Sequence, residues 1–107
     1  MRYVRLHDWL KSMGSLGRVY FEEVRGHKGT DAAQIYGGLV AIITEFCEAN
    51  RIPYAGIPVG TVKKHATGKG NSGKDLMIQA ARERWPGQEI EDDNQADALW
   101  ILATATD

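Results

Sequence analysis

The stretch Glu91-Asp92-Asp93-Asn94-Gln95-Ala96-Asp97-Ala98-Leu99-Trp100 is the most informative part of this chain, because an acidic cluster runs directly into an apolar tail. Read as a helix, it places Asp93 and Asp97 four residues apart, with both carboxylates on one face. Like charges at this spacing destabilise a helix by about 0.2–0.5 kcal/mol. Such a pair is tolerated at a helix start or around a bound cation.

Two interpretations of these acids are open. As an N-cap and a first-turn acid, Asp92 and Asp93 would stabilise the start of the helix. Asp97 lies deeper, between Ala96 and Ala98, where capping does not explain an acid. A hard divalent cation such as Mg²⁺ binds through one or two carboxylates together with substrate phosphates. The pattern therefore indicates either a helix cap or a metal site.

Composition limits the class of protein. The chain has 107 residues and a formal net charge of -1, which fits one globular domain without a general basic field. Any surface for nucleic acid must therefore be local. The single cysteine, Cys47, excludes a disulfide within the chain and fits a reducing cytoplasm. No apolar stretch approaches the roughly 20 residues of a membrane span, so no membrane association is expected.

Hydrophobic periodicity predicts an α/β layer with few strands. The long second helix is expected to be N-capped by Thr30 and largely buried, with Gly37-Gly38 allowing a close approach to a neighbouring element. Pro58 confines the second strand to a short length or to an edge. The predicted elements are helix 2–13, strand 18–24, helix 30–50, strand 53–57, helical turns 61–66, helix 74–84 and helix 92–105.

A glycine-rich segment, residues 68–74, has the spacing of a phosphate-binding P-loop up to its lysine. Asp75 then stands where Ser or Thr would bind magnesium, and a helical turn precedes the loop instead of a strand, which argues against a P-loop. The segment is instead a local basic surface. It is either solvated or in contact with a phosphate backbone. The lysines of this surface, within the segment and shortly before it, are Lys63, Lys64, Lys69 and Lys74.

Several short motifs together resemble the RuvC family, and phage and prophage RuvC-like Holliday junction resolvases in particular. The resemblance extends over about residues 18–105 and rests on the number, order and spacing of the motifs. They are Phe21-Glu22-Glu23-Val24, Gly29-Thr30-Asp31-Ala32-Ala33, Tyr36-Gly37-Gly38, Pro58-Val59-Gly60-Thr61-Val62-Lys63-Lys64, Thr67-Gly68-Lys69-Gly70-Asn71 with Lys74, and Asp92-Asp93-Asn94-Gln95-Ala96-Asp97-Ala98.

This resemblance implies a ribonuclease H-like fold and metal-dependent cleavage of branched DNA, with Mg²⁺ or Mn²⁺ held by acidic residues. Glu22 resembles the acid of the family's central strand, and Asp97 resembles its last acid. Asp93 is chemically the better candidate for a further ligand, with Asn94 as a possible neutral oxygen donor. Lys63 and Lys74 resemble lysines that contact DNA near the cleaved phosphate.

The chain departs from the family pattern at its start. The family begins with a strand carrying an apolar-Asp-Pro-Gly pattern, whereas Asp8 lies in a predicted helix and does not match it. The expectation is one RuvC-like domain that lacks its N-terminal strands, with a reduced parallel sheet flanked by helices. The first metal ligand would then be missing, so cleavage by this chain alone is expected to be slow or absent.

Three functions follow as hypotheses. The first is a RuvC-like crossover junction endodeoxyribonuclease acting in recombination, in the cytoplasm of a bacterial or phage-infected cell. The second is a catalytically inactive relic that still binds DNA or metal. The third is an oligomeric α/β module without activity.

The predicted sheet also bears on assembly. With only two strands, it would leave the strand at residues 18–24 with an unpaired edge, and no proline or lysine in Val19-Tyr20-Phe21 protects it. A homodimer or higher oligomer is therefore expected, joined through this strand or through exposed helix faces.

Overall fold

A computed structural model describes residues 2–107 as a mixed α/β structure. Its elements agree with the predicted order, and α4 has the predicted bounds. The third helix is longer than predicted, because it starts directly after the second strand. The elements are α1 (Arg2–Ser12), β1 (Val19–Glu23), α2 (Thr30–Ala49), β2 (Tyr54–Pro58), α3 (Val59–Thr67), α4 (Lys74–Arg84) and α5 (Asp93–Thr106).

The two strands are parallel neighbours in one sheet. The Val19 N–H donates to the Pro53 carbonyl at 3.0 Å, at the beginning of the pairing. Further along, a Cβ built on Gly56 would lie 3.0 Å from the Phe21 ring, so glycine permits this close approach. Pro58 ends β2 and is also the N-cap of α3, so no linker separates the strand from the helix.

The chain divides into two compact units. The first contains residues 2–19 and 25–55, and within it α1 packs against α2. Its buried apolar residues are Leu10, Phe46, Cys47 and Ile52. The expectation that α2 is largely buried is wrong, because only Phe46 and Cys47 are buried along it. An apolar sequence indicates which side chains favour burial, but the extent of burial depends on how many elements pack against the helix.

The start and the middle of α2 also differ from a simple interpretation of the sequence. The N-cap is Gly29 with a φ of 88°, and Thr30 is the first helical residue, so the prediction of a Thr30 cap is wrong. A Cβ on Gly38 would overlap the Tyr3 ring, whereas nothing lies within 4 Å of one on Gly37. The predicted close approach is therefore confirmed for Gly38 alone.

The second unit contains residues 20–24 and 56–107, in which α3, α4 and α5 pack against one another. Trp100 lies at the centre of its core, 4% exposed, and its indole N–H donates to the Met77 carbonyl at 3.3 Å. The Trp85 ring lies beside it with a centroid separation of 4.7 Å. The buried apolar residues of this unit are Val62, Met77, Ala81, Ile90, Ala96, Trp100 and Ala103.

Polar contacts join the ends of these three helices. Asp107 accepts hydrogen bonds from the Arg84 guanidinium at 3.0 and 3.2 Å and pairs with His65 at 2.9 Å. These two partners hold the pKa of the Asp107 carboxyl below its ordinary value. No helix in residues 2–107 combines the length and the apolar character needed to cross a bilayer.

Candidate active site

The predicted site residues Glu22, Asp93 and Asp97 line a single cavity of about 220 Å³ in the second unit. We call it the acidic cavity. Lys63 and Lys74 lie on its wall together with Ser72 and Gly73, and its apolar lining consists of Val59, Val62, Met77 and Ile101. Carboxylates and ammonium groups therefore face the same small volume.

Each acid is placed by local structure that the sequence explains. In β1 successive side chains alternate between faces, so Glu22 reaches the cavity while Glu23 points to the opposite face, where it lies near Gly56. Asp93 is the first residue of α5 and Asp97 stands one turn later, as the four-residue spacing predicts.

Asp92 caps α5, so the capping interpretation of the acidic cluster is confirmed for this residue. Its side chain accepts a hydrogen bond from the Gln95 N–H at 2.9 Å. The Gln95 side chain in turn accepts from the Glu91 N–H at 2.6 Å, which resembles a capping box. With Asp92 occupied in this way, Asp93 and Asp97 are left to face the cavity.

Electrostatics couple the cavity residues. Burial raises the pKa of Glu22 above its ordinary value of 4.5, the Asp97 carboxylate raises it further, and Lys63 lowers it. Burial likewise raises the pKa of Asp97 above 3.8, with Asp93 adding to the rise and Lys63 opposing it. The acids thus form a repelling set that a cation would stabilise, and Lys63 supplies part of that charge.

The remaining predicted residues do not line the acidic cavity. Asn94 is exposed and absent from its lining, so Asp93 is the member of that pair that faces it. Lys64 and Lys69 are exposed outside it, whereas Lys63 and Lys74 lie on its wall. The four lysines therefore fall into an inner and an outer pair.

The donor chemistry fits a hard divalent cation that has few protein ligands, with the other coordination positions left to water or substrate. Carboxylate oxygens are the ligands that Mg²⁺ prefers, and it commonly uses one or two of them together with water and substrate phosphates. Within residues 2–107, no three His, Cys, Asp or Glu side chains stand close enough together to enclose one ion. The coupled acids Glu22 and Asp97 nevertheless fit a site that a substrate oxygen completes.

Sequence reasoning missed two residues beside this site, Thr67 and Ser72. Ser72 is 4% exposed, and its hydroxyl is hydrogen-bonded to that of Thr67. A serine among glycines reads as an ordinary loop residue, because no periodic pattern indicates that its side chain turns inward. Their contacts depend on the path of the loop, which the sequence pattern does not determine.

Comparison with known proteins identifies the fold. The chain is similar to the solved structure of Thermus thermophilus RuvC in complex with a Holliday junction substrate, with a TM-score of 0.76 and 20% sequence identity. A second Thermus thermophilus RuvC structure gives a TM-score of 0.72, also at 20% identity. Both alignments cover 95% of this chain but only 62% and 61% of the RuvC chains.

The predicted fold class is therefore confirmed as α/β with a RuvC-type, ribonuclease H-like arrangement and a two-stranded parallel sheet. No family model matches the sequence, and no curated protein matches it significantly. This chain spans less than two thirds of the length of the RuvC chains.

Proposed function

We propose that this chain is a RuvC-like protein that binds branched DNA such as a four-way junction and uses a divalent cation, Mg²⁺ or Mn²⁺, to hydrolyse a phosphodiester bond. The observation that carries the proposal is the acidic cavity, in which Glu22, Asp93 and Asp97 face Lys63 and Lys74 on a RuvC-type fold. The Holliday junction bound to one of the similar structures supports this substrate class.

The acids are proposed to hold the cation. Glu22 and Asp97 would each supply a carboxylate oxygen from two different elements, β1 and α5. Asp93 stands one turn before Asp97 and would hold a water molecule or a further ligand position. When bound, the cation would polarise a phosphoryl oxygen and lower the pKa of a bound water.

The lysines are proposed to hold the phosphate backbone. Lys63 and Lys74 line the cavity wall, and their ammonium groups would pair with phosphate oxygens beside the acids. Lys64 and Lys69 would extend this basic surface along the strand. Phosphate contacts position a duplex without reading its sequence, which suits recognition of DNA by shape.

A second candidate function is binding of branched DNA without cleavage. It is favoured by Lys63, whose positive charge already lowers the pKa of both Glu22 and Asp97 and so competes with a cation for them. In that case the basic surface would be the functional part and the acids would only shape the cavity.

Membership of the phage RuvC-like group, the cytoplasmic location and the homodimer stay predictions.

The test combines metal and junction binding in one set of variants. Titration with Mn²⁺ should show weak binding to the wild type and lose most of it in Asp97→Asn. Asp75→Asn is the matched control, because Asp75 is exposed and does not line the acidic cavity. A labelled four-way junction should bind more tightly than a linear duplex of the same composition, in both the wild type and Asp75→Asn.

Cleavage of the junction then separates the two candidates. Mn²⁺-dependent cleavage that Asp97→Asn abolishes supports the nuclease, whereas junction binding without cleavage supports the second candidate. Unchanged Mn²⁺ binding in Asp97→Asn would remove the metal assignment. A wild-type protein that does not bind junctions at low salt would overturn both.

A further inference from the structure

The loop at residues 68–73 lies between the two lysines that line the acidic cavity. Lys63 belongs to α3, and Lys74 is the first residue of α4. Three of the six loop residues are glycine, the residue with the largest conformational freedom to lose on folding. A loop of this composition does not by itself fix the positions of Lys63 and Lys74 relative to one another.

Two hydroxyl groups connect the ends of this loop. Thr67, the last residue of α3, has its Oγ1 hydrogen-bonded to the Oγ of Ser72, which stands two residues before α4. We call these two side chains the hydroxyl pair. Ser72 is 4% exposed, so water has little access to this contact. The hydroxyl pair therefore closes the loop in a protected environment, where a hydrogen bond is stronger than in water.

The hydroxyl pair is also connected to the backbone of Lys63 and Lys69. The Thr67 hydroxyl lies 3.1 Å from the Lys63 carbonyl oxygen, and the Ser72 hydroxyl lies 2.9 Å from that of Lys69. The two hydroxyl groups have two protons for three contacts, which are the bonds to the two carbonyl oxygens and the bond between the hydroxyls. When the two hydroxyls are bonded to each other, either Thr67 donates to Lys63 while Ser72 donates to Thr67, or Thr67 donates to Ser72 while Ser72 donates to Lys69. The Thr67 Oγ1 also accepts from the Lys69 N–H at 3.3 Å and lies 3.4 Å from the Lys69 carbonyl oxygen. In both arrangements α3 and the loop remain joined.

From this geometry we infer that Thr67 and Ser72 are positioning residues, which set the separation of Lys63 and Lys74 for contact with the phosphates of branched DNA. This inference rests on the proposed function. The hydroxyls themselves carry no charge, and both are engaged in hydrogen bonds within α3 and the loop. They restrain the loop before DNA binds, and this reduces the conformational entropy that the loop loses on binding.

Removal of either hydroxyl should weaken junction binding without changing its salt dependence. Thr67→Val keeps the shape of the side chain and removes the hydroxyl, and Ser72→Ala removes it with little loss of volume. Each should raise the Kd for a labelled four-way junction by about 3–10-fold, the size expected for one hydrogen bond. The slope of log K against log salt should stay constant, because the number of phosphate contacts is unchanged.

Three comparisons separate positioning from other effects. Lys74→Gln should reduce the salt slope by about one unit, since it removes a phosphate contact itself. Thr67→Ser keeps the hydroxyl and should restore wild-type binding. Thr44→Val is the matched control, because the Thr44 hydroxyl also bonds to the carbonyl four residues earlier, at 3.0 Å, but it lies in α2 away from this loop.

The double variant Thr67→Val/Ser72→Ala provides a stricter criterion. If the two hydroxyls act as one unit, the double variant should bind about as weakly as either single variant. Additive losses, or wild-type binding in both single variants, would overturn the positioning role.

Hydrogen exchange keeps the inference separate from the proposed function. Amides of residues 69–74 should exchange several-fold faster in Thr67→Val and Ser72→Ala than in the wild type, with or without DNA. Equal exchange would overturn the hydroxyl pair as the restraint on the loop. If the wild type does not bind junctions while the exchange rates change as expected, the proposed function fails, and with it the positioning role in DNA binding.

Discussion

The two compact units differ in how well they cover their apolar side chains. Among residues 2–107, the core of the second unit contains seven buried apolar residues, mostly from three mutually packed helices. The first unit has four, between α1 and α2. The first unit also exposes large apolar side chains along α1, such as Val4 at 50% and Trp9 at 57%.

This difference bears on the stability of each unit and on the placement of the acidic cavity. All the residues that line the acidic cavity belong to the second unit, so the cavity lies in the better-packed part of the chain. The first unit has fewer buried apolar residues to stabilise it and more of the exposed large apolar side chains. We expect substitutions to affect the two units unequally.

The largest expected effect is that of Trp100→Ala. Trp100 is 4% exposed and packs beside Trp85, so its removal leaves a large void in the second unit. The expected loss in the free energy of unfolding is about 3–5 kcal/mol, as for other buried aromatic residues. Urea unfolding followed by circular dichroism measures this loss.

Trp9→Ala is the control for this prediction, because Trp9 is 57% exposed. It should change the free energy of unfolding by no more than about 0.5 kcal/mol. A loss equal to that of Trp100→Ala would mean that α1 is covered in solution, which would agree with the predicted oligomer. Sedimentation of the wild type at micromolar concentration would then decide between the two.

A smaller effect, of opposite sign, is expected at the acidic cavity. The pKa values of Glu22 and Asp97 are raised in the folded protein, so the folded state binds more protons than the unfolded chain between the ordinary and the raised values. Stability should therefore fall as the pH rises through this window. Glu22→Gln and Asp97→Asn each remove a partly buried charge that repels its neighbour, so they should increase Tm at pH 7. The increase should be only roughly 2–4 °C, because both acids are partly exposed to water, which screens the repulsion.

Thermal melts in a metal chelator at several pH values test this sign. The advantage of the variants over the wild type should shrink as the pH falls towards the ordinary values of 4.5 and 3.8. Added Mn²⁺ should stabilise the wild type but not Asp97→Asn. A variant less stable than the wild type at pH 7 without metal would contradict the repulsion between these acids.

Effects of similar size to those at the acidic cavity are expected at the paired glycines of α2 in the first unit. Gly37→Ala meets nothing within 4 Å and should stabilise the protein by up to about 1 kcal/mol, the usual helix preference of alanine. Gly38→Ala should not, because its methyl group displaces the Tyr3 ring. Equal gains in both variants, measured by urea unfolding, would show that Tyr3 moves aside without loss.

The sequence predicted best those features that depend on neighbouring residues. The stop at Trp85-Pro86 and the glycines before Lys74 define α4, and the spacing of Asp93 and Asp97 places both on one helix face. The alternation of side chains in β1 explains why Glu22 lines the acidic cavity and Glu23 does not. In each case the local geometry of a helix or strand is sufficient to decide the outcome.

Predictions that depended on packing or on loop path were weaker. The burial of α2 was overestimated, because its apolar sequence does not show how few elements cover it. The sequence favoured Asp93 over Asn94 by the chemistry of the side chain alone, and it did not show which of the two faces the acidic cavity. The contact of Thr67 with Ser72 depends on a loop whose course no sequence pattern describes.

The burial of Cys47 gives the first unit a natural reporter of its own opening. Cys47 is fully buried beside Phe46, and burial raises the pKa of its thiol, so in the closed state it is shielded and protonated. Only a thiolate reacts with an alkylating reagent, and it must first become accessible. Because the chain has no other cysteine, the rate of alkylation records how often α1 and α2 separate, without an introduced label.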